Sequence, residues 1–398
     1  MPKPHFPPFP PTPHATWIAG LIALAVAMGI GRFAFTPLLP LMMRDGLVDA
    51  AAGAELAAAN YLGYLLGALS APRFAASPLR LLRLALGGVV GLTLASAWIV
   101  TGPPAWAVRG AAGVCSAWVL VGASSWCLRE LALRGAPSLG AWIYTGVGSG
   151  ITLAGVLAWF GGRQPSPALW IELALLAGMG AMAVAWLLRG RAEHAMAAVA
   201  ASAPPGTRGR HHAVVWCYGS FGFGYIVPAT FLPAMARQQI DDPWVFGLAW
   251  PLFGLAAALS VAAAARWLGP WPRRRVWVWA QAAMAAGAAM PLVGRSPLLL
   301  ALAAVLVGGT FMVATMAGLQ WARELEPQAP TALLARMTSA FAVGQIAGPL
   351  VVRFSAPLLP PTLDAIALGS AMASLALAMG WAWLLRGGSL SAAPAPRG

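Results

Sequence analysis

GIGRFAFTPLLPLM, residues 29–42, returns as GFGYIVPATFLPAM at residues 222–235. In register, Gly29 faces Gly222, Gly31 faces Gly224, Leu39 faces Leu232, Pro40 faces Pro233 and Met42 faces Met235, at one offset of 193 positions. A second pair agrees to within one residue: WCLRE at 126–130 and WARE at 321–324 set Arg129 against Arg323 and Glu130 against Glu324. Two signatures at one offset in a 398-residue chain mark an internal duplication. In so apolar a chain, duplication implies two helical bundles side by side with a solute site where they meet. One position breaks the symmetry, because Arg32 in the first copy stands opposite Tyr225 in the second.

Composition points the same way. Hydrophobic residues make up 60% of the chain and charged residues 9%, against about 25% charged in an average soluble domain. Apolar runs of about 20 residues, the length that crosses a bilayer as a helix, recur at 16–43, 52–72, 81–101, 105–128, 138–160, 166–188, 212–236, 244–268, 275–294, 297–321, 331–354 and 362–385. The expected fold is therefore an all-α integral membrane protein, with twelve transmembrane helices in two six-helix bundles related by a pseudo-two-fold axis. The bundles take residues 16–188 and 212–385. Between them lies a central cytoplasmic loop, 189–211, whose Pro204-Pro205-Gly206 cannot continue a helix. The Pro-rich tail at 1–15 and the small-residue tail at 386–398 read as disordered. The first apolar run is too long for a signal-peptide core and lacks a basic start, so it is kept as the first span.

The net charge of +14 follows the membrane and does not indicate nucleic acid. With the N-terminus inside, eighteen basic residues fall in cytoplasmic tails and loops, five fall outside, and two, Arg32 and Arg109, lie within spans. That bias is the positive-inside signature of a chain with both termini in the cytoplasm. The partners it implies are the lipid bilayer and a small-molecule solute; a monomer is the expected unit, in a bacterial-type inner membrane. Cys115, Cys127 and Cys217 show no CxxC spacing, and all five histidines lie in tails or the central loop. No thiolate or haem site, other metal centre, cofactor site or nucleophile–base pair is indicated, so an enzyme is not expected.

The quoted repeat, together with ANYLGYLLGAL at 59–69 and YGSFGFGYIVPATFLPAMAR at 218–237, makes the chain resemble the major facilitator superfamily, and within it the YbfB/YjiJ-type branch. Arg109-Gly-Ala-Ala-Gly113 matches the Arg-x-x-x-Gly of the superfamily's fourth helix. The loop 2–3 signature survives only as Gly67, Arg73 and later arginines, with Ala71 where its aspartate belongs. Loop 8–9 keeps Arg266, Gly269 and Arg273–Arg275, again without the acid. The antiporter Gly-Pro signature is missing from the fifth span, which reads GVGSGITLAG at 146–155. The resemblance implies that the first, fourth, seventh and tenth spans line a central cavity and that transport is by alternating access.

Within that frame the candidate residues can be weighed. A mid-span arginine costs about 2.5–3.5 kcal/mol and needs compensation, yet no acid lies mid-span: Glu55 and Glu172 sit near outer helix ends. Arg32, with Thr36 one turn on, and Arg109, with Ser116 on its face, would together favour an anionic solute. The alternative is that Arg32 bonds carbonyls freed around Pro37 and Pro40, and that Arg109 snorkels or pairs with Glu55. Tyr61, Tyr144, Tyr218 and Tyr225 are intramembrane phenols that want hydrogen-bond partners; packing roles compete, as they do for Tyr64. Asn60 and Gln345 are mid-span amides, which often bond neighbouring helices. For gating, Glu130 and Glu324 are the anions left for Arg73 and Arg266, beside Arg129 and Arg323. The leading reading is a secondary transporter of a small organic anion. Efflux of hydrophobic compounds and a non-transporting membrane sensor are the alternatives.

Overall fold

The structure, a computed structural model, describes residues 13–74, 77–191, 211–240, 242–294, 296–326, 330–360 and 364–386. Twelve long helices fill it: α1 Pro13–Arg44, α2 Ala50–Ser70, α3 Pro78–Ala95, α4 Gly102–Leu133, α5 Pro137–Phe160 and α6 Ser166–Leu187 in the first half. The second half holds α7 His212–Gln239, α8 Ala249–Trp267, α9 Arg273–Val293, α10 Pro297–Leu325, α11 Pro330–Ser355 and α12 Ala365–Arg386. Eleven are long and apolar enough to cross a membrane. The exception is α2, which is 21 residues long but carries Glu55, Asn60, Tyr61 and Tyr64. The chain is a multi-pass membrane protein, and no strand occurs among the described residues.

Helix boundaries follow local chemistry. Proline opens α3, α4, α6 and α10, where its missing N–H costs nothing. Asp49 caps α2 by accepting from the Ala52 amide at 2.7 Å. Gly135 and Gly190, at φ +69° and +72°, follow the ends of α4 and α6 in the left-handed conformation that glycine adopts without strain. α1 begins at Pro13, so the last three residues of the expected N-terminal tail are helical, and α12 runs to Arg386. The remainder of that tail (1–12), residues 192–210 of the central loop and 387–398 of the C-terminal tail lie outside the described residues.

The glycines of GVGSG in α5 serve two neighbours at once. Gly146 and Gly150, one turn apart, meet α1: a Cβ on them would lie 2.1 Å from the Leu21 carbonyl oxygen and 2.2 Å from that of Ala25. Gly148 faces α8 in the other half, where a Cβ would lie 2.3 Å from the Ala258 amide nitrogen. Small residues allow such backbone approach without a hydrophobic driving force in lipid. The sequence that replaces the antiporter signature is thus the seam that packs α5 between α1 and the second half.

α1 itself is interrupted. It is α-helical to Leu24, takes the wider π geometry from Ala25 to Arg32, turns at Phe33–Ala34 and resumes at Phe35. The Phe33 amide accordingly reaches back five residues to the Met28 carbonyl at 3.0 Å. Its repeat partner α7 runs unbroken through Pro228 and Pro233, so the duplication did not preserve this feature in both halves. π segments are frequent at functional sites, and Arg32 stands at the end of this one.

Gly150→Val should lower stability by about 1–3 kcal/mol, the range for overpacking, read as a lower melting temperature in detergent. Gly87→Ala, where the added methyl meets nothing within 4 Å and helix propensity improves, should not lower it.

Candidate functional site

Arg32 is 3% exposed and forms the hub of a polar chain that joins the two halves. Its Nη2 donates to Gln345 Oε1 at 2.7 Å, and Gln345 Nε2 donates to the Tyr225 hydroxyl at 2.7 Å. α1, α11 and α7 are thereby tied together at mid-membrane. Beside this chain the Tyr61 hydroxyl is 2.9 Å from Thr230 Oγ1, linking α2 to α7. The Arg32 guanidinium lies 3.8 Å from the Tyr64 ring centre, with Phe33 at 5.2 Å and Tyr61 at 5.3 Å. Aromatic faces attract a desolvated cation, so rings and a neutral amide, not a carboxylate, hold this charge. Tyr225 is in turn stacked between Phe311 (5.3 Å, 4°) and Phe341 (5.6 Å, 10°).

Arg109 is the second buried guanidinium, 5% exposed. It lies over Phe35 at 4.6 Å, and its Nη2 donates to the Arg32 carbonyl at 3.4 Å. Ser116, two turns further along α4, donates to the Ala27 carbonyl at 2.8 Å. α4 therefore serves carbonyls of the segment whose helical ladder the π geometry disturbs, as buried backbone acceptors require. Asn60 Nδ2 donates to the Arg109 carbonyl at 2.9 Å, tying α2 to α4. Three buried polar atoms of this cluster, Arg32 Nε, Arg109 Nε and Asn60 Oδ1, have no protein partner. Thr36 is buried one turn beyond Arg32.

The structure thus brings together Arg32, Thr36, Asn60, Tyr61, Arg109, Tyr225 and Gln345 from the expected substrate set. Ser116 is near but committed to backbone. Two residues are engaged elsewhere: Tyr144 donates to Ser124 Oγ at 3.0 Å, and Tyr218 to the Thr315 carbonyl at 3.4 Å amid Phe221, Trp277 and Phe341. Thr230, Phe311 and Phe341 join the site without having been expected. Phenylalanine and threonine are common in any membrane helix and carry no positional signal; only the contact with Tyr61 or Tyr225 marks these three. The expected alternative partner of Arg109 is also excluded, since Glu55 pairs with Arg353 at 3.1 Å.

The expected gating pairs are not formed. Arg73, Arg129, Arg266, Arg323 and Glu324 are exposed, and Glu130, 5% exposed, is bonded by Arg134 one turn on and lies 3.9 Å from Arg191. An i,i+4 partner on the same helix face is closer to hand than Arg73 on another segment. Bridges between the halves occur instead at the opposite end. Arg353 of α11 meets Glu55 of α2, Arg237 of α7 donates to the Pro40 carbonyl of α1, and Trp159 Nε1 donates to the Trp244 carbonyl at 3.0 Å. A cavity of about 40 Å³ among Pro37, Pro40, Trp159, Pro233 and Trp250 remains there, space for little more than a water. Asp45 braces the same end by accepting from the Ser166 amide at 2.6 Å and from Arg44. Partial burial pushes its carboxyl upward, but these donors outweigh it and hold the pKa below the usual value, so the brace stays anionic at neutral pH.

Two six-helix halves with a polar, partly uncompensated site between them define a solute-transporter architecture. Solved structures with this architecture include the nucleoside transporter NupG (14% identity, TM-score 0.67, 94% of this chain and 99% of that one) and a point mutant of the same transporter (12%, TM-score 0.70, 94% and 98%). A D-xylose–proton symporter is similar at 14% identity and TM-score 0.72, over 93% of this chain and 96% of that one. At such identities the likeness establishes the fold. No curated protein matches the chain. The family described as "Uncharacterised MFS-type transporter YbfB" matches residues 24–380, and the chain belongs to it. It is a member of a secondary-transporter family, and neither that family nor the structural neighbours are enzymes.

The Arg32–Gln345 bond is testable by a double-mutant cycle. Gln345→Leu alone should cost about 1.5–3 kcal/mol, the range for a hydrogen bond to a charged group. Arg32→Leu combined with Gln345→Leu should cost less than the sum of the single changes. Additive losses in detergent melting experiments would show the bond to be unimportant.

Proposed function

We propose that this protein carries a small organic anion across the bacterial inner membrane by alternating access, with the anion held at Arg32 and Arg109. One observation carries this reading: two guanidiniums are buried at mid-membrane with neutral partners. The one carboxylate buried among the described residues, Glu130, lies 21 residues along α4 from Arg109, about 30 Å away at 1.5 Å per residue. A cation pair supported only by amides, rings and carbonyls is completed by a negative charge. The unpartnered Nε atoms of both arginines supply donors for it, and Asn60 Oδ1 can accept from a hydroxyl or a protonated group of the solute.

The contacts between halves support the mechanical part. Arg32–Gln345 and Tyr61–Thr230 close the centre, while Glu55–Arg353, Arg237–Pro40 and Trp159–Trp244 close the end that the arginine distribution places outside. Rocking the halves about the glycine-packed α5–α8 seam would break the outer set and expose the site to that side. In the state closed to the cytoplasm, Glu130 and Glu324 would take Arg73 and Arg266 as partners, with Arg129 and Arg323 alongside. Both termini lie in the cytoplasm on this reading, which rests on the eighteen-to-five bias in basic residues.

Two experiments test the proposal. In a ligand-stabilisation screen on purified protein, organic anions should raise the melting temperature. Arg32→Ala should abolish the effect and Arg32→Lys restore it partly, because a point charge replaces a planar fork. Unchanged stabilisation in the alanine variant would sink the assignment. For the outer seal, Glu55→Gln should increase labelling, from outside, of a cysteine placed at Thr36 in a background lacking the native cysteines. Removing a contact made in one state biases the equilibrium toward the other; equal labelling rates would reject the seal.

A further inference from the structure

The second half carries a groove that the solute pathway does not use. It has a volume of about 580 Å³ and runs between α8, α9 and α10, walled chiefly by Ala263, Trp267, Trp271, Trp279, Gly309 and Val313. Trp267, Trp271 and Trp279 are 67%, 48% and 66% exposed, so the groove opens outward from the bundle. Its two hydroxyls are spent on their own helices: Ser260 donates to the Ala257 carbonyl at 3.1 Å and Thr310 to the Leu306 carbonyl at 2.5 Å. The other side-chain donors on the lining residues are the indole N–H groups of Trp267, Trp271 and Trp279, and the rest of the wall is hydrocarbon, which suits an acyl chain. From Ser260 to Leu268 the wall on α8 rises about 12 Å at 1.5 Å per residue, close to the depth of one leaflet's hydrocarbon, about 15 Å.

The mouth of the groove is strongly basic. Between Arg266 and Arg275 the chain reads RWLGPWPRRR, four arginines in ten residues with no acid. Two of them are engaged by backbone: Arg273 donates to the Leu268 and Gly269 carbonyls at 3.2 and 3.0 Å, and Arg274 to the Leu384 and Leu385 carbonyls at the end of α12. Arg266 and Arg275 are exposed, and neither forms an ion pair among the described residues. Arg275 lies one turn beyond Trp279 on the same face of α9, and Arg266 lies one turn beyond Ala263 on α8. An apolar slot of leaflet depth therefore ends at two uncommitted cations ringed by interfacial tryptophans.

We propose that this groove is a binding site for an anionic phospholipid of the cytoplasmic leaflet, with an acyl chain lying along α8–α10 and the phosphate held by Arg266 and Arg275. Basic pockets between transmembrane helices on this side of a membrane suit such headgroups, and the three tryptophans sit where amphipathic rings favour the headgroup boundary. The site lies at the turn between α8 and α9, and α8 is the helix that packs against α5 of the other half. A lipid lodged there braces the half that must move as a unit.

Native mass spectrometry of the full-length protein, released from detergent after mixing with dioleoyl-phosphatidylglycerol or dioleoyl-phosphatidylcholine, tests this directly. Phosphatidylglycerol should be retained preferentially. Arg266→Gln and Arg275→Gln should each lower its retention about fivefold while leaving phosphatidylcholine unchanged. Gly309→Leu, or Ala263→Met should that variant fail to fold, should lower retention of both lipids by filling the slot. Arg73→Gln, in the corresponding loop of the first half, should change neither. Equal retention of the two lipids by the unaltered protein, or phosphatidylglycerol retention indifferent to both arginine changes, would overturn the proposal.

Discussion

A guanidinium at mid-membrane has to be held by something, and the arrangement around Arg32 shows what that requires. A charged hydrogen bond crosses to Gln345 of the other half, and its faces are covered by Tyr64, Tyr61 and Phe33. Because the amide's other end is used by Tyr225, itself stacked between two phenylalanines, the position of this charge depends on four helices at once. An interaction of this kind is strong only while water is excluded. It therefore couples the packing of the two halves to the environment of the charge, because the Gln345 contact exists only while the halves meet at this level.

The disturbed backbone of α1 explains the rest of the cluster. A π segment cannot satisfy every carbonyl within its own helix, and α4 supplies donors from Ser116 and Arg109. Asn60 then fixes α4 to α2 through the Arg109 carbonyl. Side chains of the candidate site thus serve the backbone of α1, so substitutions at Arg109 or Ser116 act on the shape of that helix. The glycines of α5 make the complementary contribution, since α1 can deviate from regular geometry only where its neighbour presents no side chains.

The two halves diverge in chemistry more than in shape. The first contributes the cations, the rings that lie against them and the irregular helix. The second contributes rings, the bridging amide and a regular α7. Arg32 takes its aromatic contacts from its own half and a hydrogen bond from Gln345 of the other, so the polar cluster spans the interface between the two bundles.

Fold class was legible in the sequence because a bilayer imposes a simple demand. Every spanning segment must be apolar, about 20 residues long and helical, and the 193-residue repeat adds how the helices are grouped. The importance of Arg32 was legible for the same reason, since a mid-span charge is expensive wherever it points. Its partner was not. Gln345 lies 313 positions away, and an amide in a helix looks alike whether it bonds a neighbour, a cation or nothing. Tyr218 and Tyr225 share a helical face seven residues apart, yet only Tyr225 is linked to the cation, through Gln345, because neighbouring helices decide which turn of that face is central. Glu130 has Arg134 and Arg191 within reach, where Arg73 was the expected partner, and spacing along the chain does not reveal which cation wins. Apolar run length, the internal repeat and one mid-span arginine were enough to establish twelve spans in two related halves around a buried positive charge. Which side chains bond, stack against or ignore that charge emerges only from the tertiary structure, because those contacts join residues from 1 to 313 positions away whose separation depends on helix packing and not on local preference.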